Sequence, residues 1–181
     1  MRLRSTVQQP PAPIRVEAVE LDSSNEHYPD LLRIRAYWEG KRRGRFAPRR
    51  ADIDPGDLVD SLPRIMLTDV IAEPLDFRYR LSGTAIANMH GKEMTGKGPR
   101  DLKPAAYGAL IHDHYCQAVR RREPLLHVIV FDGDKKSRCY ARLLLPLSED
   151  GSTVTMLMAV DSKEQDAQAL KTYFSEIARG G

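Results

Sequence analysis

Between residues 29 and 43 the apolar side chains Leu31, Ile34 and Trp38 recur at helical spacing, with Leu32 and Ala36 adjoining them. This predicts an amphipathic helix that Gly44 ends. Asp54-Pro55-Gly56-Asp57-Leu58 opens a short helix with proline in its first turn, which must stop near Leu62 because Pro63 follows. Ile65 to Val70 is β-rich, Glu73-Pro74-Leu75-Asp76 reads as a turn, and Phe77, Tyr79 and Leu81 alternate with Arg78 and Arg80. Period two across that turn predicts a hairpin with one buried face. Residues 84 to 122 carry no strand signal. Short helical pieces over Ala85–His90 and Asp101–Tyr107 lead into a longer helix to Arg122, with a stripe of Tyr107, Leu110, Ile111, His114, Tyr115 and Ala118. Three further strands, Leu125–Phe131, Arg138–Leu147 and Val154–Val160, are separated by Asp132-Gly133-Asp134 and Glu149-Asp150-Gly151, which predicts an antiparallel meander. Ser162 with Gln165 forms a capping box for a last helix whose apolar face is Leu170, Tyr173, Phe174 and Ile177.

These elements predict an α+β fold: a five-stranded antiparallel sheet with helices on one face, plus flanking helices at the N- and C-terminal ends. Residues 1–24, with Gln8-Gln9-Pro10-Pro11-Ala12-Pro13, read as a flexible arm, since proline removes backbone donors. The flanking helix then occupies 25–46, the domain 47–161 and the C-terminal helix 162–181.

Composition adds limits. The 181 residues carry 28 Lys and Arg against 25 Asp and Glu, a net charge of +3 that is far from a dedicated nucleic-acid binder. Two cysteines, Cys116 and Cys139, are too few for a disulfide framework and form no CxxC pair, so a reducing cytoplasm is expected. The N-terminal residues lack the apolar stretch of roughly 7 to 15 residues that an export signal needs. No apolar run approaches the roughly 18 residues that span a bilayer, so no membrane insertion is expected.

Several motifs invite chemistry. Gly91 to Lys97 fits G-x-x-x-x-G-K, yet Gly98 and Pro99 follow where a phosphate loop needs Ser or Thr and a helix, so a glycine-rich connector is the reading. His112, His114 and Cys116, with His127 and Cys139 as possible additions, invite a metal site; His112 and Cys116 share a helix face, but His114 lies about 200° around from His112 and cannot join them, so core or surface histidines are the reading. The basic run Lys41-Arg42-Arg43-Gly44-Arg45 with Arg49 and Arg50 has few aromatics interleaved and no helix-turn-helix or zinc pattern, which argues against a nucleic-acid interface. No nucleophile elbow, zinc-protease helix or evident carboxylate pair points to catalysis.

Three segments carry a family resemblance: Tyr37-Trp38 with Pro48, Arg50, Asp52, Asp54 and Pro55; Phe77-Arg78-Tyr79-Arg80-Leu81-Ser82-Gly83-Thr84 with Gly91 and Thr95-Gly96-Lys97; and Arg142-Leu143-Leu144-Leu145-Pro146-Leu147-Ser148 with Asp150-Gly151. Over residues 30 to 160 the chain resembles the short, stand-alone bacterial PAS proteins grouped as PAS domain family 5. The resemblance implies a sheet cupping a helical flank with a ligand cavity between them; with no catalytic motif in the sequence, a non-enzymatic sensor that signals to a separate partner protein is expected. The resemblance specifies no ligand or cofactor. Periodicity places Tyr79, His114, Tyr115, Met156 and Met158 around a small-molecule pocket between the long helix and the strands. The competing expectation is an adaptor with a filled core that docks a partner through Arg78, Arg80 and Arg142. The Leu31, Ile34, Trp38 stripe needs a cover, either the chain's own sheet or the same helix of a second copy; the resemblance favours the homodimer.

Overall fold

The three C-terminal strand signals build the middle of one antiparallel sheet. In the computed structural model, which describes residues 15–22, 27–132 and 137–164, β4 (Leu125–Asp132), β5 (Ser137–Leu147) and β6 (Met156–Asp161) pair in succession. The hairpin of β2 (Ile65–Ile71) and β3 (Asp76–Ser82) adds on through β2 against β6. A sixth strand, β1 (Arg15–Leu21), pairs with β4 and gives the order β1-β4-β5-β6-β2-β3. This corrects the reading of residues 15–21 as a loose arm and of the sheet as five-stranded. The prolines stop at Pro13, and beyond them Val16 and Ala18 pack inward. Arg15, Glu17 and Glu20 conceal the strand signal, as charges on an edge strand do.

Helices cover both faces. On the inner face lie α2 (Thr84–His90) and α3 (Ala105–Arg121), and their side chains join Phe77, Tyr79, Ile129, Phe131, Tyr140 and Leu157 in one core. The outer face is covered by α1 (Pro29–Arg42) and the 3-10 helix Pro55–Arg64, over Leu67, Leu143, Leu145, Met158 and Val160. Leu31, Ile34 and Trp38 are only 1%, 5% and 0% exposed, and the Trp38 indole donates to the Pro146 carbonyl at 2.8 Å. The stripe is therefore covered by the chain's own sheet and is not a surface for a second copy; folding back buries the same apolar area without an association cost. Asp30, at the start of α1, accepts from the Ser162 hydroxyl at 2.9 Å and the Lys163 amide at 2.8 Å, which ties the exit of β6 to this helix. The capping-box partner Gln165 and the expected C-terminal helix beyond it lie outside the described residues.

Two local irregularities matter for side-chain direction. In the hairpin, Thr68 opposes Tyr79 while Leu67 opposes Leu81, so Arg80 is an extra residue in a β-bulge. The bulge keeps Phe77 and Tyr79 inward but turns Leu81 to the outer side, 47% exposed. The glycine-rich segment serves the edge of β3: the Tyr79 amide donates to the Lys97 carbonyl and the Gly96 amide to the Tyr79 carbonyl, both at 2.7 Å. Gly96 holds a φ of 82°, and a Cβ on Gly98 would stand 2.5 Å from the Phe77 carbonyl oxygen. Backbone pairing explains this spacing of glycines without a phosphate.

Candidate functional site: a polar cluster under the long helix

Cross-strand register brings His127, Arg142 and Asp161 side by side on β4, β5 and β6. All three point inward beneath α3, with 4%, 3% and 1% exposure. The Arg142 guanidinium donates to both Asp161 carboxylate oxygens, Nε at 2.8 Å and Nη2 at 3.4 Å, and lies 5.2 Å from the Tyr140 ring centre. Burial opposes the charge on Arg142, but Asp161 and the surrounding phenols outweigh it and hold the guanidinium protonated.

Four buried tyrosines converge on this pair. Tyr107 of α3 and Tyr140 of β5 share a hydrogen bond between hydroxyls at 2.5 Å. Tyr115, two turns along α3, meets Phe77 and Tyr79 edge-on at centroid distances of 5.3 and 6.5 Å. Burial pushes the Tyr107 phenol up to about 12 and raises those of Tyr79, Tyr115 and Tyr140 as well, so all four remain neutral hydrogen-bonding groups. The Thr68 hydroxyl is buried opposite Tyr115 with no hydrogen bond of ordinary geometry. Burial and the nearby Arg142 charge push the His90 ring, stacked 6.1 Å from Tyr107, down to about 3.

His114 of α3 and His127 of β4 stack with ring centres 3.8 Å apart and planes 11° apart. Burial, then the other ring, pushes His114 down to about 3, and burial lowers His127 too, so both are neutral at ordinary pH. His127 Nδ1 is buried with no hydrogen-bond partner among the described residues. These are groups suited to hold and orient a polar molecule: neutral phenols, neutral imidazoles and one fixed ion pair. Among the described residues no group of three or more His, Cys, Asp and Glu side chains is placed to hold a metal ion.

Of the residues assigned to a pocket from sequence, Tyr79, Tyr115 and His114 lie in this cluster. Met156 and Met158 do not: they face outward with Leu67 and Leu145. Every residue of β6 is buried, so no polar position marks which side faces inward, and the alternation was assigned the wrong parity. Arg142 is likewise no partner surface, because its strand is covered on both faces; Arg78 and Arg80 are exposed, with Arg80 Nε 2.7 Å from Asp69. Tyr140 and Asp161 have no place in the sequence reading, Tyr107 enters it only on the apolar stripe of the long helix, and His127 only as a possible addition to a metal set. Their available signal is the period-two series Tyr140, Arg142, Leu144, which is readable once β5 is known to be central.

No helix among the described residues is long and apolar enough to cross a membrane. No curated protein sequence matches the chain. A solved structure of an RNA-binding light-oxygen-voltage receptor is similar at a TM-score of 0.45 and 13% identity, covering 93% of this chain and 43% of that one. The chain thus spans less than half the length of that structure. The sequence profile of the PAS domain matches residues 27–161, the stretch from two residues before α1 to the last residue of β6 that holds the whole cluster. Sheet order, helical insertion and profile agree, and the chain belongs to the PAS domain family of sensing and interaction modules.

Proposed function

We propose that the protein is a non-enzymatic PAS sensor that recognises a small planar molecule bearing a carboxylate or carbonyl group, held beneath α3, and passes the signal to a separate partner protein. The observation that carries this reading is the burial of four phenols around the Arg142–Asp161 pair. A core needed only for stability is cheaper to fill with apolar side chains, because each buried polar group costs desolvation. Planar ligands suit aromatic walls, and an oxygen acceptor suits the phenolic and guanidinium donors. The two free cysteines fit a reducing cytoplasm.

Thermal-shift screening against aromatic carboxylates, nucleobases and flavins tests the reading. One class is expected to raise the melting temperature, and Tyr107→Phe to weaken that stabiliser by about tenfold, the loss of one hydrogen bond of roughly 1.4 kcal/mol. If no compound stabilises the protein and none shifts the NMR signals of residues lining the α3 interface, the interior is a filled core and the sensor reading fails.

A further inference from the structure

On the outer side of the molecule a groove of about 370 Å³ runs between α1 and the 3-10 helix Pro55–Arg64. The buried Ile34 and Leu58 form its apolar floor, Tyr37 and Val59 line its two sides, and Lys163, just past β6, lies at the end where α1 begins. Val59 and Leu62 of the 3-10 helix are 61% and 38% exposed, two of the four large hydrophobic side chains left open to solvent among the described residues. The chain leaves β6 already turned toward this groove. Asp30 takes the Lys163 amide at 2.8 Å, and the Ser162 hydroxyl takes the Glu164 amide at 3.1 Å. With Ser162 as an N-cap, these are the first two amides of a helix, which find no partner inside it and need one from outside.

We propose that residues 165–181 continue this turn as a helix and dock along the groove through Leu170, Phe174 and Ile177, covering Val59 and Leu62. Phase carries the argument. Leu170, Phe174 and Ile177 follow Lys163 by seven, eleven and fourteen positions, which at 3.6 residues per turn returns each to within about 40° of the Lys163 direction. Lys163 lines the groove, so the three apolar side chains face it as well. Gln168, Thr172, Ser175, Glu176 and Arg179 fall on the opposite side, where a docked helix meets water. Lengths agree too: Leu170 to Ile177 covers the same seven-residue step as the groove-lining positions Asp30 to Tyr37 of α1, about 10 Å of helix. The seat therefore joins two apolar surfaces, one on the 3-10 helix and one on the following segment, that each need a cover.

Trypsin cleavage after Lys171 in the full chain, read by mass spectrometry, tests the seat, because cleavage of a docked segment tracks the fraction that is undocked. Val59→Asp puts a charge beneath the apolar stripe and is expected to speed this cleavage by about tenfold. Cleavage after the buried Arg142 should stay unchanged, the sign that the domain remains folded. Val19→Asp, at a comparably exposed valine on β1, is expected to leave the Lys171 rate as it is. Phe174→Asp should speed cleavage as Val59→Asp does, and combining the two should add nothing, since both remove the same contact. If Val59→Asp also speeds cleavage after Arg142, Val59→Ser, which adds no charge, replaces it in the same comparison. An unchanged Lys171 rate in the Val59 variants overturns the proposal, as do additive effects in the double variant or acceleration by Val19→Asp instead. A wild-type rate that rises on dilution overturns it as well, because the groove then holds the segment of a second copy.

Discussion

Arg142 and Asp161 illustrate how one pair of side chains sets the character of the interior. Their exposures of 3% and 1% mean that neither charge can be left alone without a large desolvation cost. Arg142→Met strands the Asp161 carboxylate and is expected to destabilise the fold by about 3 to 5 kcal/mol. The double variant Arg142→Met with Asp161→Leu is expected to recover most of that loss, because an apolar pair of similar volume needs no hydration. Urea unfolding of the wild type, both single variants and the double variant measures the coupling. Equal stability of the Arg142→Met single and the double variant would show that the pair does not act as a unit. Neither residue was legible as a pair beforehand: they are 19 positions apart, and only the register of β5 on β6 makes them neighbours.

Between elements, the stacked His114 and His127 join α3 to β4, beside Glu20 of β1, Arg121 and Asp113 of α3 and Arg142 of β5. Both rings are held below their ordinary value of about 6.5. The unfolded chain therefore binds protons below that pH that the folded chain refuses, so stability falls as the pH drops from about 6.5 and levels off only near the folded value, about 3 for His114. Urea midpoints from about pH 7 to about pH 4.5 should fall, and His114→Phe should flatten that slope, in a window above the ordinary carboxylate range. A slope that the substitution leaves unchanged would assign the acid sensitivity to other groups. At this scale the long helix was legible, with His114 and Tyr115 on its buried stripe. The β-bulge at Arg80 was not, because one extra residue reverses side-chain direction without disturbing the polar-apolar alternation.

For the molecule as a whole, α1 belongs to the domain and is not an appendage for association. Trp38→Ala is expected to cost about 3 to 5 kcal/mol, the range for removing a buried aromatic, and to lose the 2.8 Å bond to Pro146 as well. Denaturant unfolding checks the loss, and light scattering of the folded variant checks the assignment. A change in oligomeric state at unchanged stability would return the helix to an interface role.

The helices α1 and α3, the strands β2 to β6, the insertion of helices after the β2–β3 hairpin and the family resemblance were determined by the sequence alone. Periodicity and turn chemistry are local properties, encoded within a few residues of where they act. Only the tertiary structure decided that Arg15–Leu21 completes the sheet, that α1 closes the outer face, and that Met156 and Met158 point outward while Tyr107, Tyr140, Arg142 and Asp161 meet inside. Those outcomes depend on register and on burial from both sides. A strand buried on both faces carries no polar alternation from which its direction can be read.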